Sequence, residues 1–304
     1  MKDKINLLFK PFILMLLGLI TGYTFLHWLI FVDLELFQLN KKITDFVIPI
    51  VLTGILNLFI LRPRFKILKL DTKRGSWSDF YTIMLWMAMA TPIIIAQKYI
   101  VSATGKLTEL KSINEINKFE HSKYYILNNY YIDKNVIGIH SELDVNDRFS
   151  DNFNMHIYFS VPIYEKESDT LKAVPSAWLG VKYQEKIGNN LESRRKKKIY
   201  QFFLNHSLKK FNNKNISDFV YLNRLRDSEK RKGFIDAIKS TPIYTPNAIV
   251  LEAVNEQFEN RNGNKLAWIF GSALICSFIW IIMLMIPKID EQQLNRILDD
   301  SKEK

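Results

Sequence analysis

The residues that could do acid–base or metal chemistry in this 304-residue chain are its histidines. His140 and His156 fall in neighbouring strand-like segments and could lie side by side, His206 falls in a helical segment, and His27 stands beside Trp28. Two histidines without a third ligand do not make a zinc site. The sequence therefore predicts no metal and no cofactor. A hydrolase would require His140, His156 and His206 to converge in the fold.

Known catalytic signatures do not occur in the sequence. It has no G-x-S-x-G, no phosphate-binding glycine loop, no H-E-x-x-H and no paired zinc cysteines, because Cys276 is its one cysteine. These signatures do not test for a Ser–Lys or Ser–His dyad that forms only in the folded chain. We therefore predict no catalytic residues and favour a protein that is not an enzyme.

The sequence also carries an excess of positive charge, with 42 Lys+Arg against 31 Asp+Glu. One cluster predicts a membrane-surface basic region and a topology signal; its members are Arg62, Arg64, Lys66, Lys69, Lys73 and Arg74. The other cluster is the run Arg194, Arg195, Lys196, Lys197 and Lys198. This run could bind anionic lipid headgroups or another acidic surface. The alternative is that it is a solvated helix start.

Four uncharged apolar runs must position these groups, at residues 11–32, 46–61, 80–97 and 266–287. A helix crosses the hydrocarbon core with about 20 apolar residues. The sequence thus predicts an integral membrane α-helical protein with four transmembrane helices, and it excludes a freely soluble one. No Asp, Glu, Lys or Arg lies inside a run, which argues against a transporter. Gly18 and Gly22 form a G-x-x-x-G pair that predicts a helix-packing face, within the chain or against a partner.

The distribution of Lys and Arg predicts the orientation of the helices. Both termini and the six-charge connection carry the basic residues, and such segments stay cytoplasmic. We predict a three-helix membrane segment (1–105), an extracytoplasmic domain (106–264), a fourth transmembrane helix (265–288) and a short cytoplasmic tail (289–304). The predicted location is the bacterial inner membrane. Nucleic acid is not an expected partner of a domain outside the cytoplasm.

The middle of the chain predicts an inserted α+β mixed-sheet domain. Strand-like segments occur at residues 123–132, 136–140, 153–163, 177–183, 219–222 and 248–254. The spacing of apolar residues predicts a helix over 191–211 and another that begins after an N-cap at Asp227 or Ser228 and ends before Pro242.

Several short strings resemble, in the same order, the N-terminal extension of bacterial rhomboid-family intramembrane serine proteases. They are residues 21–28 (TGYTFLHW), 62–64 (RPR), 103–108 (ATGKLT), 130–134 (YYIDK), 153–156 (FNMH), and 262–265 (NGNK) leading into 268–271 (WIFG). The G-x-S-G serine of the family and its histidine do not occur here. The resemblance therefore implies the non-catalytic part of such a protease, standing alone.

These observations favour a non-catalytic, membrane-anchored interaction module. Its expected partners are the lipid bilayer and a membrane or envelope protein. The alternatives are a hydrolase or degenerate intramembrane protease whose site is not visible in the sequence, and a sensor that moves its last two membrane helices.

Overall fold

The computed structural model describes the chain except for residues 35, 37, 38, 73, 74, 120, 121, 145–151, 172, 173, 189–192, 303 and 304. The chain forms two compact units. The helical unit comprises Met1–Thr104 and Asn262–Lys304, and the sheet unit comprises Gly105–Arg261. The predicted borders of the inserted domain, 106 and 264, lie within three residues of these divisions.

The chain has seven α-helices among its described residues. They are α1 (Lys2–Asp33), α2 (Ile43–Ile67), α3 (Ser78–Ala103), α4 (Ser193–Asn213), α5 (Glu229–Lys239), α6 (Lys265–Met285) and α7 (Glu291–Lys302). The helices α1, α2, α3 and α6 are long and apolar enough to cross a membrane, so the prediction of four such helices is confirmed. The α2 helix is longer than its apolar run, since 25 residues reach about 37 Å.

The helical unit is tied together at one end, here called the basic end, where the α1 start, the α2–α3 connection and the α6 end meet. Lys4 Nζ donates to the backbone oxygens of Leu284 (2.6 Å) and Pro287 (2.5 Å). Arg64 donates to the Leu7 carbonyl at 3.2 Å. The two bonds from Lys4 satisfy carbonyls that the C-terminal end of a helix leaves without intrahelical partners. Both termini and the α2–α3 connection therefore lie at one end of the unit.

The sheet unit is built on a mixed sheet. Its strands are β3 (Leu107–Ser112), β4 (Tyr124–Asn129), β5 (Tyr131–Ile132), β6 (Gly138–Asp144), β7 (Asn152–Tyr164), β8 (Ala177–Gly188), β9 (Tyr221–Arg224) and β10 (Val250–Val254); a separate hairpin in the helical unit supplies β1 (Asp71–Thr72) and β2 (Gly75–Ser76). The strand order is β3-β4-β9-β10-β8-β7-β5, with β6 on the same edge of β7 as β5. The pairs β3–β4 and β10–β8 are parallel. The predicted α+β mixed sheet is confirmed.

The two faces of the sheet carry different helices. On one face, Phe211 of α4 stacks on Phe159 with the ring centroids 4.8 Å apart. On the other face, Phe234 of α5 meets Tyr158 edge-on at 5.2 Å. Successive residues of a strand point to opposite faces, so Tyr158 and Phe159 separate the two cores. Gly138 lets α5 approach closely, because a Cβ there would lie 2.3 Å from the Ala237 carbonyl oxygen.

Some elements differ from the sequence prediction. β3 and α7 were not predicted, and the strand expected over 123–132 is divided at Tyr130 into β4 and β5. The start of the helix predicted at residue 191 lies outside the described residues. Of the two proposed N-caps, Ser228 is the one that caps α5, since its Oγ accepts a hydrogen bond from the Arg231 N–H at 3.2 Å.

Candidate functional site

The fold separates the histidines on which a hydrolase would depend. His140 on β6 pairs with Tyr158, and His156 on β7 pairs with Glu142, so both histidines lie on the α5 face of the sheet. Their rings lie 6.1 and 6.3 Å from the Tyr158 ring. His206 lies on α4, exposed and stacked on Phe202 at 6.0 Å. The three histidines are therefore not brought together.

The described part of the chain contains no cluster of metal-ligating side chains. No group of three or more His, Cys, Asp or Glu side chains there could hold an ion. His140 and His156 have Tyr158 beside them, a residue that is uncommon among zinc ligands.

A buried acid–base pair joins α1 to α2 in the helical unit. His27 Nε2 lies 3.4 Å from Asp45 Oδ1, and the two side chains are 1% and 8% exposed. Thr44 Oγ1 donates to Asp45 Oδ1 at 3.1 Å, and Tyr23 OH donates to the Thr44 carbonyl at 3.2 Å. The pair distance suits an ion pair, whereas neither His27 ring nitrogen makes a hydrogen bond to another described residue. The pair therefore places two ionisable side chains beside each other with little exposure to solvent.

A second buried polar contact joins α1 to α3. Gln97 is fully buried, and its Nε2 donates to Thr24 Oγ1 on α1 at 3.1 Å. Its Oε1, like Asp45 Oδ2, has no hydrogen-bond partner among the described residues. The α1 helix thus makes one polar contact with α2 and another with α3.

The four apolar runs hold no charged group, but α2 extends beyond its run and includes Asp45. The apolar run was counted from Phe46, whereas α2 begins at Ile43, so Asp45 lies in its first turn. The signal that could have located the pair is His27, which stands inside the preceding apolar run. An ionisable residue inside a membrane helix usually has a named partner.

The predicted glycine pair does not pack within the described part of the helical unit. A Cβ added at Gly18 or Gly22 would meet nothing within 4 Å, and both residues are exposed. The close approach occurs instead at Gly54 on α2, where a Cβ would lie 3.0 Å from the Trp86 ring. The Trp86 N–H donates to the Ile50 carbonyl at 2.8 Å. Sequence analysis missed Gly54 because it has no small residue four positions away.

Four of the six predicted surface basic residues are described, whereas Lys73 and Arg74 lie outside the described residues. Arg62 forms an exposed ion pair with Asp79 at 2.7 Å, and Arg64 is held by the Leu7 carbonyl at 3.2 Å. Lys66 and Lys69 are exposed. All four follow or end α2 at the basic end, as a headgroup-facing region requires.

The two ends of the sheet unit meet at one aromatic patch. A Cβ at Gly105, the first residue of the unit, would lie 2.6 Å from the Tyr124 ring. Tyr124 packs against Tyr221 and Phe258 with ring centroids 5.4 and 5.3 Å apart. Arg261, the last residue of the unit, lies over Phe258 at 4.0 Å.

The patch perturbs its tyrosines. Burial, and next the neighbouring Tyr221, raise the pKa of Tyr124 to about 12, while Arg261 acts in the opposite direction. The phenol therefore stays neutral under physiological conditions. Tyrosines flanked by basic residues are typical of the water–membrane interface.

Comparison with known proteins gives no relative for this chain. No family model, curated protein or solved structure matches it. The functional argument therefore depends on the geometry described above.

Proposed function

We propose that this chain is a non-catalytic interaction module of the bacterial inner membrane, in which four helices anchor the sheet unit on the extracytoplasmic side. The observation that carries the proposal is the aromatic patch where Gly105 and Arg261 meet. Both connections to apolar helices leave the sheet unit from this place. The sheet unit is therefore joined to the apolar helices through two connections at a single patch.

The contacts at the basic end support the proposed orientation. Lys4, Arg64 and Lys288 all lie where the chain termini and the α2–α3 connection meet. The cytoplasmic side of a membrane protein carries an excess of Lys and Arg in its short segments. We therefore assign the basic end to the cytoplasm and residues of about 106–264 to the outside.

The identity of the partner is a further part of the proposal. The ordered strings that resemble rhomboid-family N-terminal extensions suggest that the module serves a rhomboid core on another chain. It would present a membrane or envelope protein to that core. The hydrolase alternative requires His206 to converge with His140 and His156, and the positions of these residues do not support it.

The location can be tested by cysteine labelling in intact spheroplasts. In a Cys276→Ser background, which has no other cysteine, we expect a membrane-impermeant maleimide to label Ser168→Cys and not Lys66→Cys. Both positions are exposed, so the second is a matched control. Labelling of Lys66→Cys with protection of Ser168→Cys would contradict the orientation.

The interaction can be tested by photocrosslinking in cells that also express a rhomboid core. A benzophenone amino acid at Leu171, which is 87% exposed on the sheet unit, should give a crosslinked partner. The same group at Leu274, which is 71% exposed on α6, is the control for contacts within the lipid. Recovery of the chain alone from several sheet-unit positions would count against an interaction module.

A further inference from the structure

We propose that strand β6 binds an extended acidic segment of a partner protein, which adds to the sheet as a further strand beside the basic start of α4. The inference rests on the proposed function, since it names the surface and the partner chemistry of the interaction module. It is argued from the open edge of β6, from the exposed apolar side chains on that strand and from the position of the basic run.

The edge of β6 is available for pairing. In the described sheet this strand pairs with β7 on one side. The Ile139 N–H donates to Ser240 Oγ at the end of α5 at 3.2 Å, which shows that its backbone points away from β7. In an antiparallel strand the N–H and C=O of alternate residues point the same way. Ser141 and Leu143 therefore direct their backbone groups outward, and these make no hydrogen bond to another described residue.

Such an edge is a template for an added strand. Proteins that recognise peptides by strand addition obtain affinity from main-chain hydrogen bonds and specificity from alternate side chains. On the α4 face of β6 the side chains of Ile139 and Leu143 are 36% and 59% exposed. Between them, Ser141 Oγ is bonded to Tyr200 OH at 2.6 Å. An added strand would find apolar contacts on this face.

The basic run lies next to this edge. Tyr200 of α4 reaches β6, whereas Phe211, three turns later, stacks over Phe159 of β7. The helix therefore approaches the edge toward its own N-terminus. Lys197 precedes Tyr200 by three positions and shares its side of the helix. Four members of the run are exposed: Arg194, Arg195, Lys197 and Lys198.

Charge complementarity selects the occupant. The chain from Lys98 to Lys265 carries 27 basic and 20 acidic residues, so a second copy of this chain would bring a like-charged surface to the edge. Like charges suppress association, whereas opposite charges steer and orient it. Alternate residues of a strand share one face, so the occupant is an extended segment that presents both acidic and apolar side chains on its α4 face, where the basic run and the apolar positions of β6 lie.

The binding can be measured with the full chain in detergent and blocked ten-residue peptides by fluorescence anisotropy. We expect a Glu-Thr-Val-Thr repeat, which places Glu and Val on one face, to bind and a Lys-Thr-Val-Thr repeat to bind at least tenfold more weakly. Leu143→Pro removes one outward N–H and should weaken binding about three- to tenfold. Leu143→Thr keeps that N–H and is its control. Lys197→Glu with Lys198→Glu should abolish the peptide preference, whereas Lys209→Glu with Lys210→Glu at the far end of α4 should not.

Hydrogen exchange of the unmodified chain makes the test independent of these variants. The acidic peptide should slow exchange of the Ser141 and Leu143 amides. Binding without this protection, or binding unaffected by Leu143→Pro, would overturn strand addition. Self-association that Leu143→Pro abolishes would assign the edge to a second copy and overturn the acidic partner. Absence of peptide binding would overturn this inference alone, because the labelling and crosslinking experiments test the interaction module separately.

Discussion

Replacing one member of the buried His27–Asp45 pair should destabilise the helical unit by an amount that depends on which member is replaced. The two side chains are 1% and 8% exposed. In His27→Leu the Asp45 carboxylate stays buried without its cation, and an unpaired buried charge is strongly destabilising. In Asp45→Asn the buried carboxylate is removed, and the amide oxygen that replaces it can still accept a hydrogen bond from the His27 ring. We expect His27→Leu to be the more damaging variant.

The magnitude follows from the distance between the two charges. At the observed 3.4 Å and an effective dielectric constant of about 20, the attraction is about 5 kcal/mol. The cost of removing both ions from water offsets most of it. We expect the free energy of unfolding to fall by about 3–5 kcal/mol in His27→Leu and by about 1 kcal/mol in Asp45→Asn. The double variant should lose about 1–2 kcal/mol, so the single effects will not add.

The assay is unfolding of the full chain in mixed micelles by increasing the fraction of dodecyl sulfate, followed by tryptophan fluorescence at pH 7.5. Arg62→Ala is the matched control, because the Arg62–Asp79 pair is shorter, at 2.7 Å, but 45% and 79% exposed. Exposed pairs contribute less than about 1 kcal/mol. The reasoning fails if the two single variants add within about 0.5 kcal/mol, or if Arg62→Ala costs as much as His27→Leu.

Three further predictions use other contacts. Gly54→Val should lower the free energy of unfolding by about 1–3 kcal/mol in the same assay, since its Cβ would lie 3.0 Å from the Trp86 ring. The control Gly22→Val, whose Cβ meets nothing within 4 Å, should change it by less than about 0.5 kcal/mol. Equal effects of the two variants would contradict the packing of Gly54 against Trp86. Lys4→Met should cost about 1–3 kcal/mol, because it leaves the Leu284 and Pro287 carbonyls without their donor, and hydrogen exchange at the end of α6 should become faster. The pKa of Tyr124 is about 12 in the folded chain, above the ordinary value of about 10. Its contribution to stability is therefore present below pH 10 and is lost as the pH rises to about 12. Between these pH values, Tyr124→Phe should reduce the slope of the unfolding free energy against pH by up to about 1.4 kcal/mol per pH unit, as measured by denaturant unfolding.

The four apolar helices and the mixed sheet could be predicted because their signals are local. Long uncharged runs and alternating strands are properties of the segment itself. β3 escaped prediction because its Thr108, Glu109 and Lys111 give it little apolar alternation, and its pairing with β4 supplies the stability instead. The division of the strand over 123–132 arises because β4 pairs with β9 whereas β5 pairs with β7.

The candidate sites were less predictable, since each depends on residues far apart in sequence. His140 and His156 were expected on adjacent strands, as they are, and their common face follows from the register of β6 and β7. The position of His206 follows instead from the packing of α4 on the other face of the sheet. The aromatic patch joins Tyr124, Tyr221 and Phe258 across three segments. The periodicity of residues within one segment does not show which distant segments pack together.

Asp45 shows why polar residues near the ends of apolar runs carry more information than the runs themselves. Lipid-facing and helix-facing apolar residues are chemically alike, so apolar surface alone does not decide which helices become neighbours. A buried polar group needs one particular partner, and here that partner lies on another helix. Asp45 meets His27 on α1, Gln97 meets Thr24 on α1, and Lys4 meets the end of α6. These contacts therefore specify the order of the helices, and the apolar contacts fill the space between them.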